Sequence, residues 1–197
     1  MIQTYDMLME ELNDYANPKT KIGRLVKEGK YTPIVRGLYE DDPSTPGYFL
    51  AGSIYGPSYL SFEFALFYYG LIPELVHTFT SATYDKKKKK IYETHFGRFT
   101  YRDVPKAVYP YGIKIVRESD YYFLIASPEK ALCDMVYTVS PLKNQAEMMS
   151  YIEFDLRVDI DELAKFDKVL LRTIADNYRC VNVKLLSRII LKGENNG

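Results

Sequence analysis

The chain has 197 residues, of which 47% are hydrophobic, and its 26 Lys/Arg and 26 Asp/Glu residues give a formal net charge of zero. Without an apolar run of membrane-spanning length or a signal-peptide pattern, it is expected to be a soluble cytoplasmic protein with a sizeable core and no membrane partner. The charges are segregated, because residues 17–40 carry six Lys/Arg against two acids and residues 86–117 ten against two, whereas residues 118–168 carry five against eleven.

The first part of the chain predicts two helices. Residues 4–14 carry apolar side chains at helical spacing with acids between them, which is the pattern of an acidic amphipathic helix. Asn17 is a favourable N-cap and Pro18 a favourable first helical residue, so a second, basic helix is predicted to begin there. It is predicted to end near Gly29, because glycine tolerates the left-handed backbone of a helix terminus.

A β-hairpin is predicted to follow the basic helix. Residues 31–39 alternate as two short strands, and Arg36-Gly37 supplies the tip. Two helices and a hairpin predict an abbreviated winged-helix DNA-binding domain, which lacks one helix of the usual helix-turn-helix. The turn formers and acids of residues 41–47 indicate a boundary, so this domain is assigned residues 1–46.

The face of the basic helix opposite its apolar stripe carries the candidate DNA contacts. Arg24 can bind guanine through two hydrogen bonds in the major groove, and Lys19, Thr20 and Lys27 can hold phosphates and set the register. Arg36 at the hairpin tip can reach the phosphate backbone or the minor groove. The alternative is a charged face that is only solvated, with an arginine that only caps the hairpin.

Residues 47–197 predict a larger mixed α/β domain, so the whole chain is assigned to the α+β class. A short helix over residues 48–55 and a helix capped by Ser61 precede five strand-like runs. These runs are expected to form a mostly antiparallel sheet, followed by a helix that begins at Ser127-Pro128 and by C-terminal helices. The predicted strands are residues 76–83, 91–96, 98–102, 112–116 and 121–125, and the predicted C-terminal helices are residues 144–152, 159–165, 167–178 and 181–192.

The run Lys86–Lys90 lies between two of these strand-like segments. Its simplest interpretation is a solvated hairpin tip, whose charges keep a sheet edge from pairing with other chains. Lys87, Lys88 and Lys89 are candidates for a secondary basic surface. As point charges on a loop, they would contact phosphates without sequence preference.

The sequence offers little for catalysis or metal binding. It has no P-loop, no dinucleotide-binding glycine motif and no nucleophile elbow. His77 and His95 lie in strand-like contexts without Cys or acids at metal-ligand spacing, so structural roles are expected. Cys133 and Cys180 lie in apolar helical patterns and are expected to be buried thiols. We therefore expect no catalytic residue, no metal and no cofactor.

Four short segments of the chain, taken together, have a specific order and spacing. They are Lys21-Ile-Gly-Arg-Leu-Val-Lys-Glu-Gly29 with Arg36-Gly-Leu-Tyr39, then Pro57-Ser-Tyr-Leu-Ser-Phe-Glu-Phe-Ala-Leu66, Tyr69-Gly-Leu-Ile72 and Ala126-Ser-Pro-Glu-Lys-Ala-Leu-Cys-Asp134. Together they resemble the AbiEi family of antitoxins from type IV toxin–antitoxin and abortive-infection systems. The resemblance implies a winged helix that represses its own operon by binding inverted repeats of double-stranded DNA in the promoter. It also implies that residues 47–197 oppose a nucleotidyltransferase toxin, generally without a stable complex.

Two other functions stay open at this point. The acidic region of residues 118–168 is compatible with a protein-interaction module that sequesters a partner directly. The Lys86–Lys90 run and the many tyrosines are compatible with an RNA-binding protein, although tyrosines at strand positions are more typical of core packing.

Overall fold

The chain builds two β-sheets, a three-stranded sheet near its N-terminus and a six-stranded sheet in the remainder. The computed structural model describes residues 1–192, and residues 193–197 of the predicted second domain lie outside the described part. Helices and sheets occur together throughout, in agreement with the predicted α+β class. Across the described part, no helix is both long enough and apolar enough to span a bilayer.

The two predicted N-terminal helices are present. Helix α1 spans Tyr5–Glu11 and helix α2 spans Pro18–Lys27. The side chain of Asn17 accepts a hydrogen bond from the backbone N–H of Thr20 at 3.1 Å, so the predicted N-cap of α2 is confirmed. Gly29 follows the last turn of α2 with a φ of +74°, the left-handed conformation expected at a helix end.

The predicted hairpin is part of a small antiparallel sheet. Its strands are β1 (Ile2–Thr4), β2 (Thr32–Val35) and β3 (Leu38–Glu40), in the order β1–β3–β2. The turn between β2 and β3 lies at Arg36-Gly37, as predicted. Strand β1 was not predicted, because three residues carry too short a pattern, and only its pairing with β3 makes it a strand.

The small sheet lies between the N-terminal helices and the larger part of the chain. Side chains of a strand alternate between the two faces of a sheet. Tyr39 packs on the helical side, whereas Ile34 and Leu38 belong to the core of the larger part. Buried apolar contacts therefore fix the hairpin to residues beyond the predicted 46/47 boundary. The core on the helical side is formed by Leu8, Leu12, Ile22 and Leu25.

The six strands of the large sheet are β4 (Tyr59–Leu60), β5 (Thr78–Thr83), β6 (Lys90–Thr94), β7 (Gly97–Asp103), β8 (Ile113–Glu118) and β9 (Tyr121–Ala126). Their order is β6–β7–β5–β4–β9–β8. The pairs β5–β7 and β4–β9 are parallel, whereas β4–β5, β6–β7 and β8–β9 are antiparallel. The sheet is therefore mixed, with the predicted antiparallel majority and two parallel pairs that were not predicted. The two-residue strand β4 was too short to be predicted, yet it lies between β5 and β9 and pairs with both.

The lysine run is a crossover connection, and its prediction as a hairpin tip is wrong. It joins β5 to β6, and β7 lies between these two strands. The hairpin at this side of the sheet is formed by β6 and β7, where Thr94 pairs with Gly97. Turn signals and charge do not distinguish these two connections, because both occur in solvated loops.

Helices pack against the large sheet, and two of them show which side chains accept hydrogen bonds from the N–H groups of the first turn. Ser127 accepts a hydrogen bond from the backbone N–H of Lys130 at 3.3 Å, which confirms one predicted cap. Ser61 lies at the N-cap position of the helix Phe62–Tyr68, as predicted, but its side chain does not make the capping hydrogen bond. Thr80 of β5 accepts from the Phe64 N–H at 3.1 Å instead. The helices are α3 (Ala51–Ile54) after a 3₁₀ turn at Gly47–Leu50, α4 (Phe62–Tyr68), α5 (Pro128–Tyr137), α6 (Gln145–Ser150) with a π turn at Tyr151–Asp155, α7 (Ile160–Leu163), α8 (Lys168–Tyr178) and α9 (Val181–Lys192).

Two tyrosine hydroxyls form hydrogen bonds that join the large sheet to β3 and to the chain between the two sheets. The Tyr121 hydroxyl donates to the buried Glu40 carboxylate at 2.8 Å, and its ring stacks on Phe49 with centroids 4.8 Å apart. The Tyr48 hydroxyl donates to Glu118 at 3.0 Å. Burial, followed by the hydrogen bond to the carboxylate, raises the pKa of Tyr48 to about 12. Burial likewise raises the pKa of Tyr121 to about 12, with the Glu40 carboxylate adding to it.

We expect the free energy of unfolding to fall as the pH rises from about 10 to about 12. These phenols ionise near pH 10.0 in the unfolded chain but only near 12 in the folded protein. Their contribution to stability is therefore complete below the unfolded pKa and is lost as the pH passes the folded pKa. Urea unfolding at a series of pH values measures the decline, and Tyr121→Phe should make it shallower. A constant free energy across this window would contradict the expectation.

Candidate nucleic-acid interface

The cationic face of α2 lies open to solvent. Lys19, Thr20, Arg24 and Lys27 are all exposed, and the Arg24 side chain retains 65% of its accessible surface. The opposite face of the helix is buried in the small N-terminal core. Lys27 lies eight residues beyond Lys19, a rise of about 12 Å along the helix axis, so the four side chains form one elongated surface.

Arg24 is held along the helix by a weak ion pair. Its Nε atom lies 3.0 Å from the Glu28 carboxylate, one turn further along α2, and both side chains are largely exposed. An exposed pair at this spacing stabilises a helix by about 0.3–0.5 kcal/mol, so a phosphate or a guanine base can displace Glu28 at low cost. The guanidinium group is thus available to an anionic or polar ligand.

Arg36 lies on a separate element, at the tip of the β2–β3 hairpin. Its side chain is exposed, and the next residue, Gly37, has a φ of +80°, which favours glycine at this turn. The carbonyl of Gly37 accepts a hydrogen bond from the backbone N–H of Tyr5 at 2.8 Å. The tip is therefore attached to the first residue of α1, and Arg36 projects from a supported turn.

Two residues of the Lys86–Lys90 run are held by the fold, and the three between them are displayed to solvent. Lys86 donates to the carbonyl of Gly56 at 3.0 Å and lies over the ring of Tyr55, and Lys90 is the first residue of β6. The middle three lysines, which were predicted as a secondary basic surface, are exposed. They border a cleft of about 580 Å³ whose lining residues are Lys87, Lys88, Lys89, Arg102, Asp103, Tyr137 and Thr138.

The larger part of the chain contains a buried ionic network that was not predicted from the sequence. Lys130 and Asp134 form an ion pair in α5, and neither side chain is exposed. The Asp134 carboxylate also accepts hydrogen bonds from the hydroxyls of Tyr59 at 2.9 Å, Ser61 at 2.6 Å and Tyr178 at 2.7 Å. Burial, and then the neighbouring Asp134 charge, raises the pKa of both tyrosines well above the usual value.

This network joins β4, the start of α4, α5 and α8, and it is closed to solvent. It is therefore part of the structural framework and offers no surface to a ligand. The available signal was a lysine and an aspartate four residues apart in an otherwise apolar helix, a spacing that allows them to pair. Such a pair is usually exposed, which is why the sequence alone did not predict its burial.

The two histidines and the two cysteines differ in their exposure to solvent. His77 and His95 are exposed, Cys133 is buried and Cys180 is half-buried, and both cysteines are free. Burial raises the pKa of the Cys133 thiol, which makes it unreactive. Among residues 1–192, no three His, Cys, Asp or Glu side chains are grouped closely enough to hold a metal ion.

The acidic region, residues 118–168, contributes several of its charges to the fold. Asp134 and Glu129 are buried, and Glu129 accepts a hydrogen bond from the backbone N–H of Asp167 at 2.8 Å. Glu118 accepts from the hydroxyl of Tyr48. The charge that this region presents to a partner is therefore smaller than its sequence indicates.

Comparisons with known proteins give a distant likeness in fold. No family model and no curated protein matches the sequence. Among solved structures, the chain is similar to the crystal structure of the RV2827C protein from Mycobacterium tuberculosis, with a TM-score of 0.52 and 13% identity. The match covers 97% of this chain and 75% of that chain. At this identity the likeness concerns the fold alone, and it supports a mixed α+β architecture.

Proposed function

We propose that the protein is a DNA-binding antitoxin that represses its own operon and opposes a nucleotidyltransferase toxin. The observation that carries the DNA-binding part is the exposed cationic face of α2, whose opposite face is buried. The supported hairpin with Arg36 at its tip is the second element, and it serves as the wing of a winged helix. The antitoxin part rests on the resemblance of the four sequence segments to the AbiEi family.

In this proposal, α2 enters the major groove of inverted repeats in the promoter. Arg24 leaves Glu28 and binds a guanine base through two hydrogen bonds, which gives sequence specificity. Lys19, Thr20 and Lys27 bind phosphates and fix the register of the helix, which adds affinity without specificity. Arg36 contacts the backbone or the minor groove beside this site.

The division of roles between Arg24 and Lys27 can be measured with operator and random-sequence duplexes. Arg24→Ala should weaken operator binding about 10- to 100-fold and random binding much less, because a bidentate base contact is lost. Lys27→Ala should weaken both duplexes similarly and reduce the slope of log affinity against log salt by about 1. Lys184→Ala, which removes an exposed lysine of α9, is the control. Equal losses for both variants on both duplexes would contradict these roles.

The antitoxin part requires a separate measurement in cells. The protein is expressed together with the product of the neighbouring gene, which the proposal expects to be a nucleotidyltransferase, and growth is recorded. Arg24→Ala should lose repression of a promoter reporter and still protect growth, because residues 47–197 are proposed to oppose the toxin. Failure of the unaltered protein to protect growth would refute the antitoxin assignment and leave the DNA-binding assignment to be judged by the duplex measurements.

A further inference from the structure

We propose that the cleft bordered by Lys87, Lys88 and Lys89 binds the phosphodiester backbone of a single-stranded nucleic acid. This site is distinct from the duplex-binding face proposed for α2. It lies on the large sheet, at the connection between β5 and β6, whereas α2 packs on the small N-terminal core. The inference does not depend on the antitoxin function.

The lysines are presented by a loop of fixed shape. The backbone N–H of Lys87 donates to the Asp103 carboxylate at 2.6 Å, and Lys86 is attached to Gly56. Asp85 and Lys87 both have positive φ values, 55° and 57°, so the chain turns sharply on either side of Lys86. Because the backbone of the loop is already ordered, binding of a ligand in the cleft would cost little further conformational entropy of the backbone.

The acids near the cleft are already engaged. Both oxygens of Asp103 accept hydrogen bonds, one from the Thr83 hydroxyl at 2.6 Å and the other from the Lys87 backbone. Among residues 1–192, none of the three displayed lysines forms an ion pair. Their charges are therefore directed to solvent or to an anionic ligand, and a phosphodiester chain supplies anions at regular spacing.

The cationic lining continues along β7. Arg98, Thr100 and Arg102 alternate along this strand and therefore share one face of the sheet. They line a second cleft of about 450 Å³, and Arg102 borders both clefts. The distance from Arg98 to Arg102 along the strand is about 13 Å, so the two clefts form an elongated track. Arg98 forms an ion pair with Glu93, and Arg102 forms one with Glu63. The positive charge at the β7 end of the track is therefore smaller than at the lysine end.

The shape of the track favours a single strand over a duplex. Only 21% of the Arg102 side chain is exposed, so a ligand must enter the cleft to reach it. A flexible single strand can follow such a groove, whereas a stiff duplex touches only the groups that protrude. Tyr137 forms part of the wall and offers an aromatic surface beside the lysines, a combination used by proteins that bind single strands without sequence preference.

The test uses full-length protein and two labelled probes, oligouridylate RNA and oligothymidylate DNA, each on the order of 12 nucleotides. The triple variant Lys87→Gln/Lys88→Gln/Lys89→Gln should bind both probes about tenfold or more weakly. It should also lower the slope of log affinity against log salt by about 2, as expected for the loss of three phosphate contacts to a single strand. A loss confined to the RNA probe would also support the site and would identify RNA as its ligand.

Two matched variants separate this site from general charge and from the proposed operator face. The triple variant Lys184→Gln/Arg188→Gln/Lys192→Gln removes three exposed cations from α9 and should bind both probes like the unaltered protein. The double variant Arg24→Ala/Lys27→Ala should lose binding to the operator duplex but should bind both single-stranded probes like the unaltered protein. The inference is overturned if the lysine-loop variant binds both probes normally, or if either comparison variant loses single-strand binding to the same extent. The proposed operator function fails independently, if Arg24→Ala binds operator normally.

Discussion

Replacing Asp134 by alanine is expected to lower the free energy of unfolding by about 3–5 kcal/mol. The substitution leaves the ammonium group of Lys130 buried without its counter-ion. It also removes the acceptor of three buried hydroxyls, those of Tyr59, Ser61 and Tyr178. An uncompensated buried charge is costly because the interior cannot solvate it as water does. Urea denaturation of the purified variant measures the effect.

A double-mutant cycle distinguishes the ion pair from simple loss of packing. Lys130→Met alone should also destabilise strongly, because it leaves the Asp134 carboxylate buried without a cation. The double variant Lys130→Met/Asp134→Leu should lose less than the sum of the two single variants, because no buried charge remains. Glu153→Ala removes an exposed acid and is the control. If Asp134→Ala lowered the free energy of unfolding by less than about 1 kcal/mol, the pair would behave like an ordinary surface ion pair. That result would contradict the buried network.

Gly47→Ala is expected to cost about 3 kcal/mol or more of the free energy of unfolding, because the added methyl group overpacks a closed site. A Cβ atom at this position would overlap the ring of Phe79 and the backbone carbonyl of Phe96. The carbonyl belongs to the β6–β7 connection and cannot rotate away as a flexible side chain can. Relief therefore requires the segment between the two sheets to move away from the β6–β7 hairpin. Thermal and urea unfolding of the variant measure the loss.

Gly52→Ala is the matched control for Gly47→Ala. Gly52 lies in α3, only five residues further along, and a Cβ atom built there meets nothing within 4 Å. Alanine is favoured over glycine in a helix by about 0.5–1 kcal/mol, so this variant should be as stable as the unaltered protein or slightly more stable. If both glycine variants were equally tolerated, the close approach of Gly47 to Phe79 and Phe96 would not describe the protein in solution.

Local signals predicted the elements whose formation depends on neighbouring residues. Asn17 and Ser127 cap helices as expected, because a capping hydrogen bond closes within three residues. The turn at Arg36-Gly37 forms for a similarly local reason. Thr80 shows the limit of such signals, because it caps α4 from a strand that lies 16 residues away from Phe64. A contact of that kind exists only after the chain has folded.

The candidate surfaces divide in the same way. The apolar stripe of α2 predicted which residues of the helix face solvent, and Arg24 and Lys27 are indeed exposed. The lysine run was recognised from its composition, but its sequence gave no indication that Lys86 is an anchor or that Arg102 borders the same cleft. Strand order brings these residues together, and strand order depends on pairing between segments far apart in the chain.

By itself, the amino-acid order determined the helices of the N-terminal module, the segregation of charge and most of the strands, since periodicity and capping act over a few residues. Only the tertiary structure decided that the large sheet is mixed, that the lysine run crosses over β7 and that Lys130 and Asp134 are buried together. These features arise from contacts between distant segments, whose free energy depends on which surfaces exclude water together and which buried charges find a partner.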